Sequence, residues 1–137
     1  MEFDPNNPVI KLCVEGMNAE SEGEIEEAHR LFQQAWETAT NNFEKFTSAH
    51  YLARNQQDPN DGLKWNLKAL TLAETIKEDS TKGHYPSLYL NVAKSYENLG
   101  DKDEAARYYL LAADACDNLP GGNYADMIRS GVSAGLK

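Results

Sequence analysis

The chain is poor in cysteine and histidine, with 2 Cys and 3 His among 137 residues. No Cys-x-x-Cys pair occurs, and the two cysteines, Cys13 and Cys116, are far apart in the sequence. Because clusters of these residue types form most zinc sites and disulfide frameworks, we predict neither a metal site nor a disulfide. Both cysteines lie beside apolar residues in helical patterns, which indicates two small buried thiols.

Basic residues are also scarce. Lys and Arg total 13 against 22 Asp and Glu, which gives a formal net charge of -9. Such a charge repels the phosphates of nucleic acids and the anionic headgroups of membranes, so we predict that neither is a partner. No stretch is apolar for long enough to span a bilayer, and the first residues lack the basic and apolar runs of a secretory signal. We therefore expect a cytoplasmic protein.

The sequence lacks the motifs of common catalytic sites. No glycine-rich phosphate loop follows a strand-like segment, and His29, His50 and His84 are widely separated. The segment 58–62, Asp-Pro-Asn-Asp-Gly, is similar to the start of a calcium loop but lacks the ligand spacing of one. We interpret it as a turn in which Asp58 caps a helix. We predict that the protein is not an enzyme and uses no cofactor.

Two segments, 22–35 and 99–112, share one pattern without gaps. Each has a glycine, then Glu-Ala, then an aromatic residue four positions after that alanine and a second alanine three positions further on. On a helix these side chains lie on one stripe, which lets a neighbouring helix approach closely. The pattern therefore predicts tightly packed helical hairpins. The residues are Gly23, Ala28, Phe32 and Ala35 in the first segment and Gly100, Ala105, Tyr109 and Ala112 in the second.

The flanking segments extend this pattern. Asp101 followed by Glu104 is typical of a capping box. A third, more divergent copy of the pattern surrounds His50, which follows Gly16 by 34 residues. No segment alternates as a strand does, so we predict an all-α fold with seven helices. The first helices of the three copies carry Leu12, Gly16 and Ala19, then Phe46, Ala49, His50 and Ala53, and last Tyr89, Val92, Ala93 and Tyr96.

This period and spacing resemble the tetratricopeptide repeat family over roughly Pro8 to Asp117. The resemblance implies a right-handed α-α superhelix of about three helical hairpins plus a C-terminal capping helix. We expect a tail at 1–7, a single domain over 8–137, repeats at 8–41, 42–80 and 85–118, and the capping helix at 123–136. On that helix we expect one core-sealing face made of Tyr124, Met127, Ile128, Gly131, Val132 and Leu136.

The resemblance also implies a concave groove, lined by the first helix of each repeat, that holds a peptide. Arg54 and Lys94 are the cations expected there, where together they would hold a carboxylate. The alternative is that Arg54 only pairs with a glutamate such as Glu97. We predict a non-catalytic adaptor or scaffold that binds a protein or peptide whose identity the sequence does not give. The predicted groove residues are Thr47, Tyr51, Arg54, Asn55, Leu90, Asn91 and Lys94.

His50 stands where the family has Gly or Ala, and we expect Gly62 opposite it, leaving room for the imidazole. We interpret His50 as structural, and the alternative is a role in holding a groove ligand or sensing pH. Trp65 is expected in the core. Two further functions stay open: a homodimer formed through the C-terminal helix, and an enzyme or small-ligand binder with a pocket around His50 and Arg54.

Overall fold

The computed structural model describes residues 6–54, 56–76, 84–117 and 122–136, and within these ranges it contains seven helices and no strand. The prediction of an all-helical fold with seven helices is thereby confirmed for the described residues. The helices are α1 (Pro8–Ser21), α2 (Ile25–Thr38), α3 (Asn42–Leu52), α4 (Pro59–Thr75), α5 (Tyr85–Asn98), α6 (Lys102–Cys116) and α7 (Asn123–Gly135).

Two helices begin at the aspartates that the sequence singled out. The Asp58 side chain accepts a hydrogen bond from the Asn60 backbone N–H at 2.9 Å, at the start of α4. Asp101 accepts one from the Glu104 N–H at 3.2 Å, at the start of α6. Both bonds satisfy helix donors that have no partner within the helix, so Asp58 and Asp101 are confirmed as capping residues. Only this half of the capping box predicted for Asp101 and Glu104 is present, because the Asp101 N–H donates to the Tyr96 carbonyl. The Glu104 carboxylate pairs with Arg107 at 2.9 Å.

Two glycines reverse the chain between paired helices. Gly23 and Gly100 have φ values of +82° and +83°, a left-handed conformation that side chains with a Cβ rarely adopt. After Gly100, the Asp101 N–H donates to the Tyr96 carbonyl at 3.0 Å, and a corresponding bond runs from Glu24 to Ala19. The turns after α1 and α5 are therefore built alike, as the matched glycines predicted.

The chain forms two compact units, Met1–Glu78 and Asp79–Lys137. In the first unit α1 packs on α2 and α3 packs on α4, while α3 also contacts α1 and α2. In the second unit α5 packs on α6, and α7 contacts both. The single domain over 8–137 and its repeat boundaries stay predictions, and two of those boundaries, 80 and 118, lie outside the described residues.

The core of the first unit follows the predicted stripe of α2. Ala28, Phe32 and Ala35 are all 0% exposed. The Phe32 ring lies against Gly16 of α1, so closely that a Cβ at position 16 would collide with it. Small residues on one helix and an aromatic ring on the other thus set the α1–α2 crossing, as the pattern predicted.

The second unit repeats this arrangement around Tyr109. Ala105, Tyr109 and Ala112 are buried in one cluster, which Ile128 and Val132 of α7 complete. Burial raises the pKa of the Tyr109 phenol, whose hydroxyl donates a 2.6 Å hydrogen bond to a Glu97 carboxylate oxygen. The predicted capping helix therefore does close this core. Its predicted face is too wide, because three of the six residues are exposed: Tyr124 at 37%, Met127 at 57% and Leu136 at 44%.

Glu44 ties the starts of α1 and α3 together. Its carboxylate accepts hydrogen bonds at 2.9 Å from the Asn7 side-chain amide and from the Thr40 backbone N–H. The same Asn7 side chain caps α1 by accepting a 2.8 Å bond from the Val9 N–H. These bonds hold the pKa of Glu44 below its usual range, and the bond from Asn7 has the largest effect.

We expect Glu44→Gln to destabilise the first unit at pH 7 by about 1–3 kcal/mol, because bonds to an ionised acceptor are lost. A lowered pKa in the folded state stabilises the fold above the unfolded value of 4.5, and this stabilisation disappears as the pH falls through the folded pKa. The difference between wild type and variant should therefore shrink below pH 4.5. Urea unfolding at several pH values measures it, with Glu15→Gln at an exposed position of α1 as the control.

Two glycine substitutions in the first unit should have opposite effects. A Cβ at Gly62 in α4 would meet only the Ala53 carbonyl oxygen at 3.8 Å and the Gln56 Cβ at 4.0 Å. We expect Gly62→Ala to stabilise by about 0.5–1 kcal/mol, since alanine favours helices. Gly16→Ala should cost about 1–3 kcal/mol by overpacking against the Phe32 ring. Tryptophan fluorescence during urea unfolding reports both, and effects of equal sign would contradict this packing.

Candidate functional site

Arg54 and Tyr51 form the best-defined polar feature of the predicted groove. The Arg54 guanidinium lies 5.9 Å from the centre of the Tyr51 ring, which stacks on Phe32 at 5.2 Å. An Arg54 nitrogen pairs with a Glu20 carboxylate oxygen at 2.5 Å. Arg54 therefore has a glutamate partner, as the alternative interpretation required, but that partner is Glu20 of α1 and not Glu97. Burial is the main reason why the pKa of the Tyr51 phenol is raised.

Thr47, another predicted groove residue of the first unit, is buried. Thr47 is 3% exposed, and its hydroxyl donates to the Phe43 carbonyl at 2.9 Å. A ligand would reach the Thr47 side chain only by displacing its neighbours. Asn55 lies outside the described residues. The groove surface that the structure describes in this unit is thus reduced to Tyr51 and Arg54.

In the second unit, Leu90, Asn91 and Lys94 lie on α5. Leu90 is 5% exposed and belongs to the core cluster, where a Cβ at Gly131 would come within 3.1 Å of it. Asn91 is half-buried and Lys94 is exposed. Asn91 and Lys94 are three residues apart and so share one face of α5. They are the part of the predicted site that a ligand could contact in this unit.

His50 is packed between aromatic rings. Its ring centre lies 6.5 Å from that of Phe46, stacked, and 5.3 Å from that of Tyr51, edge-on. The expectation that Gly62 makes room for the imidazole is wrong, because the nearest atoms to a Cβ at position 62 belong to Ala53 and Gln56 and not to His50. The ring contacts of His50 are those of a packed side chain. Its structural role stays our interpretation.

Neither cysteine has the environment of a nucleophile. Cys13 is 1% and Cys116 is 0% exposed, and both are free thiols. Burial raises the pKa of Cys13 to about 12 and also raises that of Cys116. At neutral pH the reactive thiolate is therefore rare at both positions. In the part of the chain that the structure describes, no group of three or more His, Cys, Asp or Glu side chains could hold a metal ion.

Sequence reasoning missed a second cluster, which contains both tryptophans of the chain. Trp65 is half-buried and packs on the first-unit core, so the expectation that it is a core residue holds for part of its ring. Its ring meets Trp36 edge-on at 5.0 Å, and the Lys68 ammonium lies 4.9 Å from the Trp65 ring centre. The sequence did contain a signal for this cluster. Lys64 and Lys68 are four residues apart, so they share one helical face, and they lie next to Trp65 and to leucines.

No family model matches this chain, and neither a curated protein nor a solved structure is significantly similar to it. Over the described ranges 6–54, 56–76, 84–117 and 122–136, no helix is long and apolar enough to cross a bilayer.

Proposed function

We propose that the chain is a non-catalytic binding module, an adaptor or scaffold of the tetratricopeptide type that holds a peptide or a segment of another protein. Three helical pairs, α1–α2, α3–α4 and α5–α6, support this proposal. Two of them turn at left-handed glycines and pack an aromatic ring between alanines, as repeated hairpins of that family would. The right-handed superhelix and its concave groove are part of the proposal.

The proposed binding function is supported mainly by the contacts and the exposure of Arg54. Its guanidinium is oriented by Tyr51 and already holds a carboxylate, that of Glu20. The Arg54 side chain is 49% exposed, so a carboxylate of a partner can approach it. A fixed guanidinium loses little freedom when it binds, which favours recognition of an acidic or C-terminal carboxylate group. In the second unit, Asn91 and Lys94 supply an amide and a positive charge on one helical face.

The test is affinity capture from the cells that make the protein, followed by binding measurements with the purified partner. We expect Arg54→Ala and Lys94→Ala each to weaken binding, while each variant melts within about 2 °C of wild type because exposed charges add little stability. Lys102→Ala, at an exposed position of α6, is the matched control. Undiminished binding by both variants would overturn the assignment of this groove.

A second candidate function, self-association, has its own observation. Met127 is 57% exposed and Tyr124 is 37% exposed on α7, three residues apart on one side of the helix. Such a surface would be covered in a two-fold symmetric dimer. Light scattering over a wide concentration range tests this, with Met127→Lys as the variant. A monomer at all concentrations would eliminate the dimer.

A further inference from the structure

A groove of about 710 Å³ lies on the first unit, along one face of α4. Seven of its lining residues lie on α4 between Asn60 and Leu72. They recur every three or four residues, singly or as neighbouring pairs, so they form a continuous stripe of about 18 Å along the helix. Trp36 of α2 and Lys45 of α3 line it as well. None of the sequence-predicted groove residues and no part of His50 belongs to it. The stripe consists of Asn60, Leu63, Lys64, Leu67, Lys68, Thr71 and Leu72.

Among the described residues that line this groove, the ionisable ones are all lysines, namely Lys45, Lys64 and Lys68. This is unusual for a chain with 22 acidic and 13 basic residues. Among the residues that the structure describes, no ion pair involves any of the three. Elsewhere on the chain, Arg30, Arg54 and Arg107 each pair with a glutamate. The groove thus carries three positive charges that the described residues do not neutralise.

The floor of the groove is apolar. Leu63, Leu67 and Leu72 are half-buried, and each retains surface that water can reach. Lys68 is oriented by the aromatic pair, since its ammonium lies 5.2 Å from the centre of the Trp36 ring and 4.9 Å from that of Trp65. An aromatic and aliphatic floor bordered by three positive charges, of which that of Lys68 is held over the tryptophans, fits a ligand with an apolar face and acidic edges.

The conformation of such a ligand follows from the backbone of the groove. Its floor is formed by α4, whose backbone groups are already bonded within the helix, so no sheet edge is available to pair with an extended strand. A helical ligand satisfies its own backbone bonds and needs only side-chain contacts. The stripe of about 18 Å matches roughly three turns of such a helix.

We propose that this groove binds an acidic amphipathic helix of a partner protein. Leucine-type side chains of that helix lie on Leu63, Leu67 and Trp36, and its carboxylates pair with Lys45, Lys64 and Lys68. A nucleic acid fits less well, because it has no apolar face for the leucines and because a chain of net charge -9 repels its phosphates. The site is separate from the Arg54 groove and does not depend on it.

The test uses a synthetic, fluorescently labelled peptide of about 14 residues, with leucines at i, i+3, i+4 and i+7 and glutamates on the flanks. We expect saturable binding by anisotropy and a change in the emission of Trp36 and Trp65. A twin peptide with Gln in place of Glu should bind at least tenfold more weakly, because its charges are gone. Equal binding of the two peptides, or preference for a labelled single-stranded oligonucleotide, would overturn the proposal.

Variants of the chain complete the test. Lys64→Glu/Lys68→Glu should weaken binding of the Glu peptide by at least tenfold, and Lys45→Glu/Lys64→Glu, which keeps the Lys68–tryptophan contact, should act in the same direction. Lys102→Glu on α6 reverses one charge outside the groove and should have little effect. Circular dichroism checks that each variant is folded. Wild-type affinity in both double variants would contradict the proposed site.

Discussion

Replacing Ala105 by aspartate is expected to destabilise the second unit by about 3 kcal/mol or more, because an ionised carboxylate would be buried without a partner. Ala105 is 4% exposed and lies in an apolar cluster with Leu90, Tyr109 and Ile128. The position lies in the core where α6 packs against its neighbours, so the larger side chain is also expected to overpack it. Thermal and urea unfolding followed by far-ultraviolet circular dichroism measure the loss.

The control for this substitution is Leu110→Asp on the same helix. Leu110 is 56% exposed, so the same new charge there stays in water, and the change should be within about 0.5 kcal/mol. A large loss at Ala105 with little at Leu110 ties the effect to the helix crossing. If Ala105→Asp were as mild as the control, the arrangement of α6 against the rest of the unit would be wrong.

The second large effect is expected from Phe32→Ala, which should destabilise the first unit by about 3–5 kcal/mol through loss of buried area and formation of a cavity. Phe32 is 0% exposed, stacks on Tyr51 and lies against Gly16. Fluorescence of the two tryptophans during urea unfolding provides the readout, since both belong to this unit.

A double-mutant cycle makes this prediction specific. In the Phe32→Ala background, Gly16→Ala should cost less than in wild type or even stabilise, because the ring that a Cβ at position 16 meets is gone. The coupling should be about 1 kcal/mol or more. Additive effects would mean that the ring and the glycine are not in contact.

The local features of the fold could be predicted from sequence because each depends on neighbouring residues alone. Asp58 and Asp101 cap helices through bonds to residues two and three positions away. Gly23 and Gly100 turn the chain by their own backbone freedom. The burial of Ala28, like that of its counterparts, follows from helical periodicity. Matched copies of the pattern supported the predictions for these glycines and alanines.

The extent of the buried face on α7 could not be predicted from neighbouring residues alone. The six residues expected on it span roughly half of the helix circumference at 100° per residue. The buried face lies to one side of that arc, at Ile128 and Val132 and at Ala125, which the predicted face did not include. Met127 lies at the opposite edge of the arc, and Leu136 just past the helix end. The extent of burial depends on how closely α5 and α6 approach, which one helix does not encode.

The site was harder to predict because its residues pair across distant parts of the chain. Thr47 was expected in the groove because the repeat register of the family places it there, yet a hydroxyl can bond to its own helix and be buried. Glu20 and Arg54 are 34 positions apart, and nothing local distinguishes Glu20 from the other glutamates of a strongly acidic chain. The pairing of Trp36 with Trp65 likewise requires knowledge of how α2 and α4 are placed.

The most direct test of the binding function is the Glu20→Gln variant, measured against the purified partner alongside Arg54→Ala. If Arg54 recognises a carboxylate of the partner, then removing its competitor Glu20 should strengthen binding while Arg54→Ala weakens it, and Glu15→Gln on the same helix should do neither. If the Arg54–Glu20 pair serves only the fold, then both variants should lose stability and bind as the wild type does. That second result would contradict the proposal that Arg54 belongs to a ligand-binding groove.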